Sequence, residues 1–281
     1  MYISVLPLSR SLHPRPYIYS VSSIWEDQII IGWLVEVPIG NHVERGIVGR
    51  IVDVIPEEVE IRPIVSVISS IPLLSSTEIA MTEHLALRYF LPIHKVLAFF
   101  LPAPLLSRLD KKNYILSVRE EIWGWASGNI HEIHHYIDRI CTPKDLSDML
   151  EPWTVVILPD DFFLFSFESC FPEKTLIVPQ ESTPTKKSQA WIDAYEWKYE
   201  IFVWTRKILY YNLRAFSHII YLEESFGTEQ YQYPYRINNL DILRTLADTS
   251  AKHITIISSS PSLSLFANFR DFKIIPRRSP S

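Results

Sequence analysis

The chain has 281 residues, a net charge of −5 and an apolar content of 47%. This length suggests two domains, and the apolar content is enough for each to bury a core. The mild acidic balance excludes a uniformly basic nucleic-acid binder but is compatible with a local basic patch. Glycine is scarce, with 7 residues against 20 prolines, which is unusual for a nucleotide-binding enzyme with glycine-rich phosphate loops.

The two cysteines, Cys141 and Cys170, are too few for a Cys-rich zinc site or a disulfide framework, and we expect buried thiols in a reducing cytosol. Residues 1–7 lack the basic segment and cleavage site of a signal peptide. The longest apolar stretch, 96–106, contains two prolines and is too short to span a bilayer. We therefore expect a cytoplasmic protein with no membrane partner.

The first part of the sequence predicts short strands, because segments rich in Val, Ile and Tyr alternate with turn residues. These segments are 2–6, 17–21, 32–37, 46–54 and 62–69. Ser75 to Glu78 then offer N-cap residues for a helix that ends near Tyr89, and a second short helix is predicted at 93–100. Strands with an appended helix favour a small β-barrel-like domain.

A polar stretch at 107–113 predicts a linker, beyond which predicted strands and helices alternate. The strands are 114–118, 154–158, 174–178, 201–204, 218–222 and 253–258, and the helices are 130–140, 186–195 and 240–247. Such alternation predicts a parallel sheet covered by helices. The α/β chain is therefore expected to have domains at 1–106 and 114–275, followed by a disordered tail at 276–281.

An ordered set of short motifs runs through residues 1–106. They are Tyr17-Ile18-Tyr19, Val35-Glu36-Val37-Pro38-Ile39-Gly40, Gly46-Ile47-Val48, Arg62-Pro63-Ile64-Val65, and Tyr89-Phe90-Leu91-Pro92 leading to Leu101-Pro102. No single motif is specific, but in this order they resemble the DNA-binding domain of the primosomal protein N′ family, the bacterial replication-restart helicases. The resemblance implies binding of single-stranded, forked or 3′-ended DNA, and replication or primosome proteins as further partners.

In that family a pocket holds the last nucleotide at the 3′ end, and the matching positions are Tyr17, Ile18, Gly40 and Arg62. An aromatic ring can stack on a base, a glycine lets the backbone approach a sugar, and an arginine can pair with a phosphate. Ile18 stands where the family has an aspartate that reads the base. Because an aliphatic side chain accepts no hydrogen bond, we expect weakened or altered end recognition.

The second part resembles the family's first helicase lobe in degenerate form. The motifs that carry this resemblance keep their order: Leu158-Pro159-Asp160, Val203-Trp204-Thr205-Arg206, Tyr221-Leu222-Glu223-Glu224-Ser225 and Ser258-Ser259-Ser260-Pro261-Ser262-Leu263. No counterpart of the family's second lobe, with its zinc-binding cysteines, follows them in this sequence.

The groups needed for ATP hydrolysis are replaced. A phosphate loop requires a glycine-rich turn, a lysine and a hydroxyl ligand for Mg²⁺. Gly128, Asn129 and Ile130 stand at the corresponding positions, and Leu222 replaces the metal-binding aspartate. Glu223 and Glu224 are expected to be a solvated pair at a strand end. The sequence predicts DNA binding without ATP hydrolysis and without a cofactor, with a residual helicase and a protein scaffold as alternatives.

A competing motif of another class is His131-Glu132-Ile133-His134-His135, which matches the His-Glu-x-x-His signature of zinc metalloproteases. On a helix, His131 and His135 would share a face, and Glu132 could act as a general base. A catalytic zinc needs a third protein ligand, and no second motif supplies one. We therefore predict a polar helix face without a metal and keep the protease as an alternative.

Overall fold

The computed structural model describes residues 1–8, 16–54, 61–69, 71–101, 103–109, 131–137, 139–179, 181–206, 215–225, 231–232, 237–250 and 252–278. The chain divides into two compact units, Met1–Val118 and Arg119–Ser281. Within the described part, no helix combines the length and the apolar content that crossing a bilayer requires.

The first unit contains five strands that form one antiparallel sheet in the order β2-β1-β4-β3-β5. The strands are β1 (Tyr2–Pro7), β2 (Tyr17–Ser20), β3 (Leu34–Ile39), β4 (His42–Val52) and β5 (Ser66–Val67). The predictions for β1 to β4 are confirmed, with ends that differ by a few residues. The predicted strand 62–69 is wrong in its extent, because only two of its residues are regular strand.

One face of this sheet carries the apolar core of the first unit. Successive strand residues point to opposite faces, so Ile3 and Val5 of β1 face the same side as Tyr19 of β2 and Val35 of β3. These side chains are 4% exposed or less. Half-buried Tyr17 packs against the same cluster, which places both tyrosines of β2 on the core face.

Three helices follow the strands: α1 (Ser76–Arg88), α2 (Ile93–Phe100) and α3 (Ala103–Leu109). The Ser75 hydroxyl accepts from the Glu78 N–H at 3.2 Å, and the Glu78 carboxylate accepts from the Ser75 N–H at 2.8 Å. This capping box starts α1 where the sequence predicted it. Residues 107–109, which we predicted as linker, are instead the end of α3.

The second unit contains a seven-stranded sheet in the order β14-β6-β13-β10-β7-β9-β8, and every pair is parallel. Its strands are β6 (His131–Tyr136), β7 (Thr154–Leu158), β8 (Thr175–Val178), β9 (Ile201–Thr205), β10 (His218–Leu222), β13 (His253–Ser258) and β14 (Lys273–Arg277). A separate two-stranded pair consists of β11 (Tyr231–Gln232) and β12 (Ile237–Asn238). The predicted parallel sheet is confirmed.

Helices connect the strands of this sheet, and both faces of its central strands are buried, whereas the edge strand β14 is largely exposed. They are α4 (Pro143–Ser147), α5 (Asp161–Phe167), a single 3-10 turn (Glu168–Cys170), α6 (Pro184–Tyr195), α7 (Asn239–Thr249) and α8 (Leu263–Asn268). Every residue of β7, β9 and β10 is buried, as expected for central strands of a parallel sheet. The predicted helices near 186–195 and 240–247 are confirmed as α6 and α7.

Two predictions for the second unit are wrong. The segment 130–140 is not a helix: residues His131–Tyr136 form β6, which lies between β13 and β14 and pairs with both. The predicted tail begins too early, because Pro276 and Arg277 lie in β14. The predicted strand 114–118 lies outside the described residues, and the predicted limits of the two domains stay predictions.

Candidate functional site

Three segments of the first unit meet near the end of β2. The Ser20 N–H donates to the Arg62 carbonyl at 3.0 Å, and the Ile64 N–H donates to the Ser20 carbonyl at 3.0 Å. These two bonds fix residues 62–64 beside β2. The same stretch of chain turns towards β3, where the Val65 N–H donates to the Glu36 carbonyl at 2.8 Å.

Gly40 and Arg62 are in direct contact. Gly40 begins the two-residue turn between the paired residues Ile39 and His42, and its φ of +59° lies in the left-handed region. No other atom lies within 4 Å of the point where a Cβ would stand. The glycine is therefore required by backbone conformation, and the space beside it is open.

The Arg62 guanidinium lies over this turn, because its Nη1 donates to the Gly40 carbonyl at 3.1 Å. The Arg62 side chain is exposed, and a guanidinium has five N–H donors. Among the described residues, only the Gly40 carbonyl accepts a hydrogen bond from the Arg62 guanidinium. The cation is therefore positioned by the turn and can still contact an anion from solvent.

Tyr19 connects the turn with β2 and is not among the site residues that the sequence predicted. Its hydroxyl donates to the Pro38 carbonyl at 3.2 Å, two residues before Gly40. Burial and the neighbouring Tyr17 together raise the pKa of Tyr19 to about 12, although Arg62 acts to lower it. The two tyrosines and the guanidinium are thus close enough to interact electrostatically. The period-two pattern of β2 could have identified Tyr19, because it shares a face with Tyr17.

Ile18 is not part of this group. It lies between Tyr17 and Tyr19 on β2, opposite Ser4 of β1, so its side chain faces the other side of the sheet. The structure therefore brings Gly40, Arg62 and Tyr19 together, places Tyr17 next to Tyr19, and leaves Ile18 on the opposite face.

In the second unit, Gly128, Asn129 and Ile130 lie outside the described residues. The first described strand of the sheet is β6, and the stretch from its carboxyl end to α4 contains no glycine. In that stretch the Arg139 guanidinium pairs with both oxygens of Asp145, at 2.6 and 2.9 Å. Asp145 also completes a capping box with Thr142 at the start of α4. The polar groups at this end of β6 therefore bond to one another.

The expectation that Glu223 and Glu224 form a solvated pair is wrong. Their exposed fractions are 5% and 2%. The Glu223 carboxylate accepts from the Ser259 N–H at 3.0 Å and from the Ser259 hydroxyl at 2.9 Å, and Glu224 accepts from the Ser262 N–H at 2.7 Å. The two carboxylates thus link the end of β10 to the segment that follows β13. These hydrogen bonds offset the free-energy cost of burying a carboxylate.

A buried arginine lies at the same carboxyl ends of the parallel strands. Arg206 follows β9 and is 1% exposed, and its Nη2 donates to the backbone carbonyls of Leu222 and Glu223. Burial raises the pKa of Glu223, which the bonds from Ser259 partly offset. Leu222 itself lies in the apolar core, so its side chain can provide neither a metal ligand nor a hydrogen bond here.

The strand geometry of β6 excludes the metalloprotease alternative. Residues four apart on a strand are about 13 Å apart, whereas zinc holds each histidine nitrogen at about 2 Å. His131 and His135 therefore cannot share one ion. His131 stacks on Phe272 at 4.7 Å, and Glu132 contacts His134 at 3.1 Å. In the described part of the chain, no group of three His, Cys, Asp or Glu side chains is placed to hold a metal.

Comparison with known families identifies the type of domain in the first unit. Residues 5–102 match the model of the 3′DNA-binding domain (3′BD) of primosomal protein N′. The first unit therefore contains a domain related to that 3′ DNA-binding domain, which confirms the resemblance deduced from the ordered motifs. No curated protein matches the chain.

Proposed function

We propose that this chain, whose N-terminal unit contains a domain related to the 3′ DNA-binding domain of primosomal protein N′, binds forked or 3′-ended DNA in replication restart and hydrolyses no ATP. The observation that carries the DNA-binding proposal is the open turn at Gly40 with the Arg62 guanidinium on its carbonyl. An open backbone beside a fixed cation suits the sugar and phosphate of a terminal nucleotide.

The roles of the side chains follow from their chemistry. Arg62 pairs with a phosphate through the donors that Gly40 does not use. The empty side of Gly40 admits a sugar to the backbone. Tyr17 provides a ring for a base, and Tyr19 holds the β3 backbone through Pro38. Ile18 faces the other side of the sheet and offers no acceptor, so position 18 supplies no carboxylate to the terminal nucleotide. We therefore propose that a free 3′-hydroxyl is only weakly distinguished from a blocked one.

A barrel-like closure of the first sheet belongs to the proposal. It is supported by the segment 62–69, which contains the edge strand β5 and also hydrogen-bonds to β2 at the opposite edge of the five-stranded sheet. Its residues Arg62 and Ile64 bond to Ser20 of β2, while Ile68 donates to the Leu34 carbonyl of β3 at 2.9 Å. A closed sheet leaves few unpaired edge groups and holds Arg62 in place from both sides.

The absence of ATP hydrolysis is proposed for the second unit. The carboxyl ends of parallel strands are where such folds bind nucleotides. Here the Glu223 carboxylate is held by Ser259, Arg206 is held by backbone carbonyls, and Arg139 is held by Asp145. Groups that are already paired would have to break these bonds before they could bind phosphate or Mg²⁺, which supports a structural role for this lobe.

A titration of the full chain tests the DNA-binding proposal. Fluorescence anisotropy with labelled forked, blunt, 3′-hydroxyl and 3′-phosphate DNA measures the affinity for each end. We expect binding that weakens steeply with salt, because phosphate contacts release counterions, and little difference between the two 3′ ends. Affinity for DNA no greater than for an unrelated acidic polymer would refute the proposal.

A matched pair of variants localises the site. Arg62→Ala removes the cation on the Gly40 turn, and we expect a loss of affinity and a smaller salt dependence. Arg50→Ala removes the same charge from an exposed residue of β4 that lies on the Ile18 side of the sheet. Arg50→Ala should leave the affinity close to that of the parent. Equal losses in both variants would show that the Gly40 turn is not the binding site.

A further inference from the structure

Phe90 adopts a backbone conformation that few residues other than glycine tolerate. It is the first residue after Tyr89, the C-cap residue of α1. Its φ is +52°. The Leu91 N–H donates to the Ala86 carbonyl at 2.8 Å, and the Phe90 N–H donates to the Leu87 carbonyl at 3.3 Å. This is the Schellman pattern of helix termination, in which glycine is the usual residue at the left-handed position.

The ring of Phe90 is almost fully exposed in the described part of the chain. Its exposed fraction is 92%, and Leu87, one turn earlier on α1, is 77% exposed. No aromatic partner for Phe90 is recorded within the described residues. A large apolar side chain at a strained and exposed position is unfavourable for the isolated protein, so its presence indicates a contact that forms only with a partner.

The surrounding charge indicates the kind of partner. Between Glu83 and Asp110 the sequence has no acidic residue, but it has Arg88, Lys95 and Arg108. This stretch is cationic in a chain with a net charge of −5. His84 and Arg88 are exposed on α1, four residues apart and therefore on one face. An exposed ring in a stretch whose charged residues are all basic is complementary to an unstacked base with its flanking phosphate.

We propose that Phe90 is a second DNA contact of the first unit, at which an unpaired base stacks on the exposed ring. The inference rests on the proposed DNA-binding function and adds to it a contact outside the Gly40 turn. Stacking does not depend on base identity, so this contact binds any unpaired base.

Phe90→Gly separates binding from stability. Glycine removes the ring and also the conformational strain, so we expect a melting temperature equal to or above that of the parent. Affinity for single-stranded or forked DNA should fall about fivefold or more, the range that loss of one stacked base produces. Phe90→Tyr keeps a ring and should bind like the parent. Ile24→Ser removes another exposed apolar side chain of the first unit, 71% exposed, and should also bind like the parent.

Two further measurements identify the contact. The parent and Phe90→Gly should bind alike to a strand whose bases are replaced by abasic sites, because no base is left to stack. A strand that contains 5-iododeoxyuridine should cross-link to Phe90 under long-wavelength ultraviolet light. The proposal is overturned if Phe90→Gly binds DNA as tightly as the parent, or if the variant loses only self-association in sedimentation, which would assign the ring to a contact between copies.

These outcomes separate the two proposals. A parent protein that binds no DNA refutes the proposed function and the Phe90 contact together. A parent that binds DNA, with an Arg62→Ala variant that binds less and a Phe90→Gly variant that binds equally well, refutes only the Phe90 contact.

Discussion

The imidazole rings of His218 and His253 are stacked, with centroids 4.2 Å apart and planes 5° from parallel. The two residues are directly paired across β10 and β13. His218 is 4% exposed, and its Nε2 is 2.9 Å from the Thr255 hydroxyl. Two protonated rings at this distance would repel each other, so the centre of the parallel sheet requires at least one neutral imidazole.

The first prediction is that acid destabilises the second unit through this pair. Burial, with His253 and His134 adding to it, lowers the pKa of His218 from 6.5 to about 3. The unfolded state therefore binds a proton that the folded state excludes, and stability falls as the pH decreases from 6.5 towards 3. Between pH 6.5 and 5, His218 alone should cost about 2 kcal/mol of unfolding free energy.

Urea denaturation at pH 7 and pH 5 measures this loss. His218→Gln has no titrating group and should lose less stability on acidification than the parent. The matched control is His84→Gln, at an exposed position of α1, which should show the same pH dependence as the parent. An unchanged pH dependence in His218→Gln would contradict the prediction.

The second prediction concerns the backbone at Gly40. Its φ of +59° suits glycine, and alanine there should lower the free energy of unfolding by about 1 kcal/mol. Since the space beside Gly40 is open, the loss comes from conformation and not from a clash. Asn41→Ala at the next position of the turn is the control and should cost clearly less. Equal losses in urea denaturation would mean that the φ of Gly40 is not the cause.

The third prediction is that the full chain releases no phosphate from ATP above the background rate, with or without DNA. The carboxylate of Glu223 is buried and held by Ser259, so it is unable to position water or metal without breaking those bonds. A coupled phosphate-release assay checks this. Turnover in the parent that disappears in Glu223→Gln or in Gly128→Ala would show that the site still works.

The fourth prediction is that the protein carries no stoichiometric zinc. Because β6 separates His131 from His135 by about 13 Å, the His-Glu-x-x-His pattern cannot form a single site. Protein purified without chelators should contain well under one zinc per chain by elemental analysis, and His135→Ala should not change that content. One zinc per chain in the parent and none in His135→Ala would overturn the assignment.

The sequence alone determined the regular elements whose residues carry one consistent signal. The strands Thr154–Leu158, His218–Leu222 and His253–Ser258 lie at the predicted positions, because short runs of β-branched residues between helical segments are typical of buried parallel strands. Ser75 and Glu78 fixed the start of α1 through their own side chains. The ordered motifs of the first unit predicted its relation to the 3′ DNA-binding domain of primosomal protein N′, since each motif is local in sequence.

Only the tertiary structure decided the elements whose local signals conflict. In the segment 130–140, isoleucines at helical spacing compete with the alternation of His131–Tyr136, and β6 forms because β13 and β14, more than a hundred residues away, pair with both of its edges. The same holds for Glu223, for which the sequence predicted a solvated carboxylate, but which is buried and bonded to Ser259 in the segment that follows β13. Hydrogen bonds between distant segments outweigh local propensity, and a single sequence does not reveal such pairings.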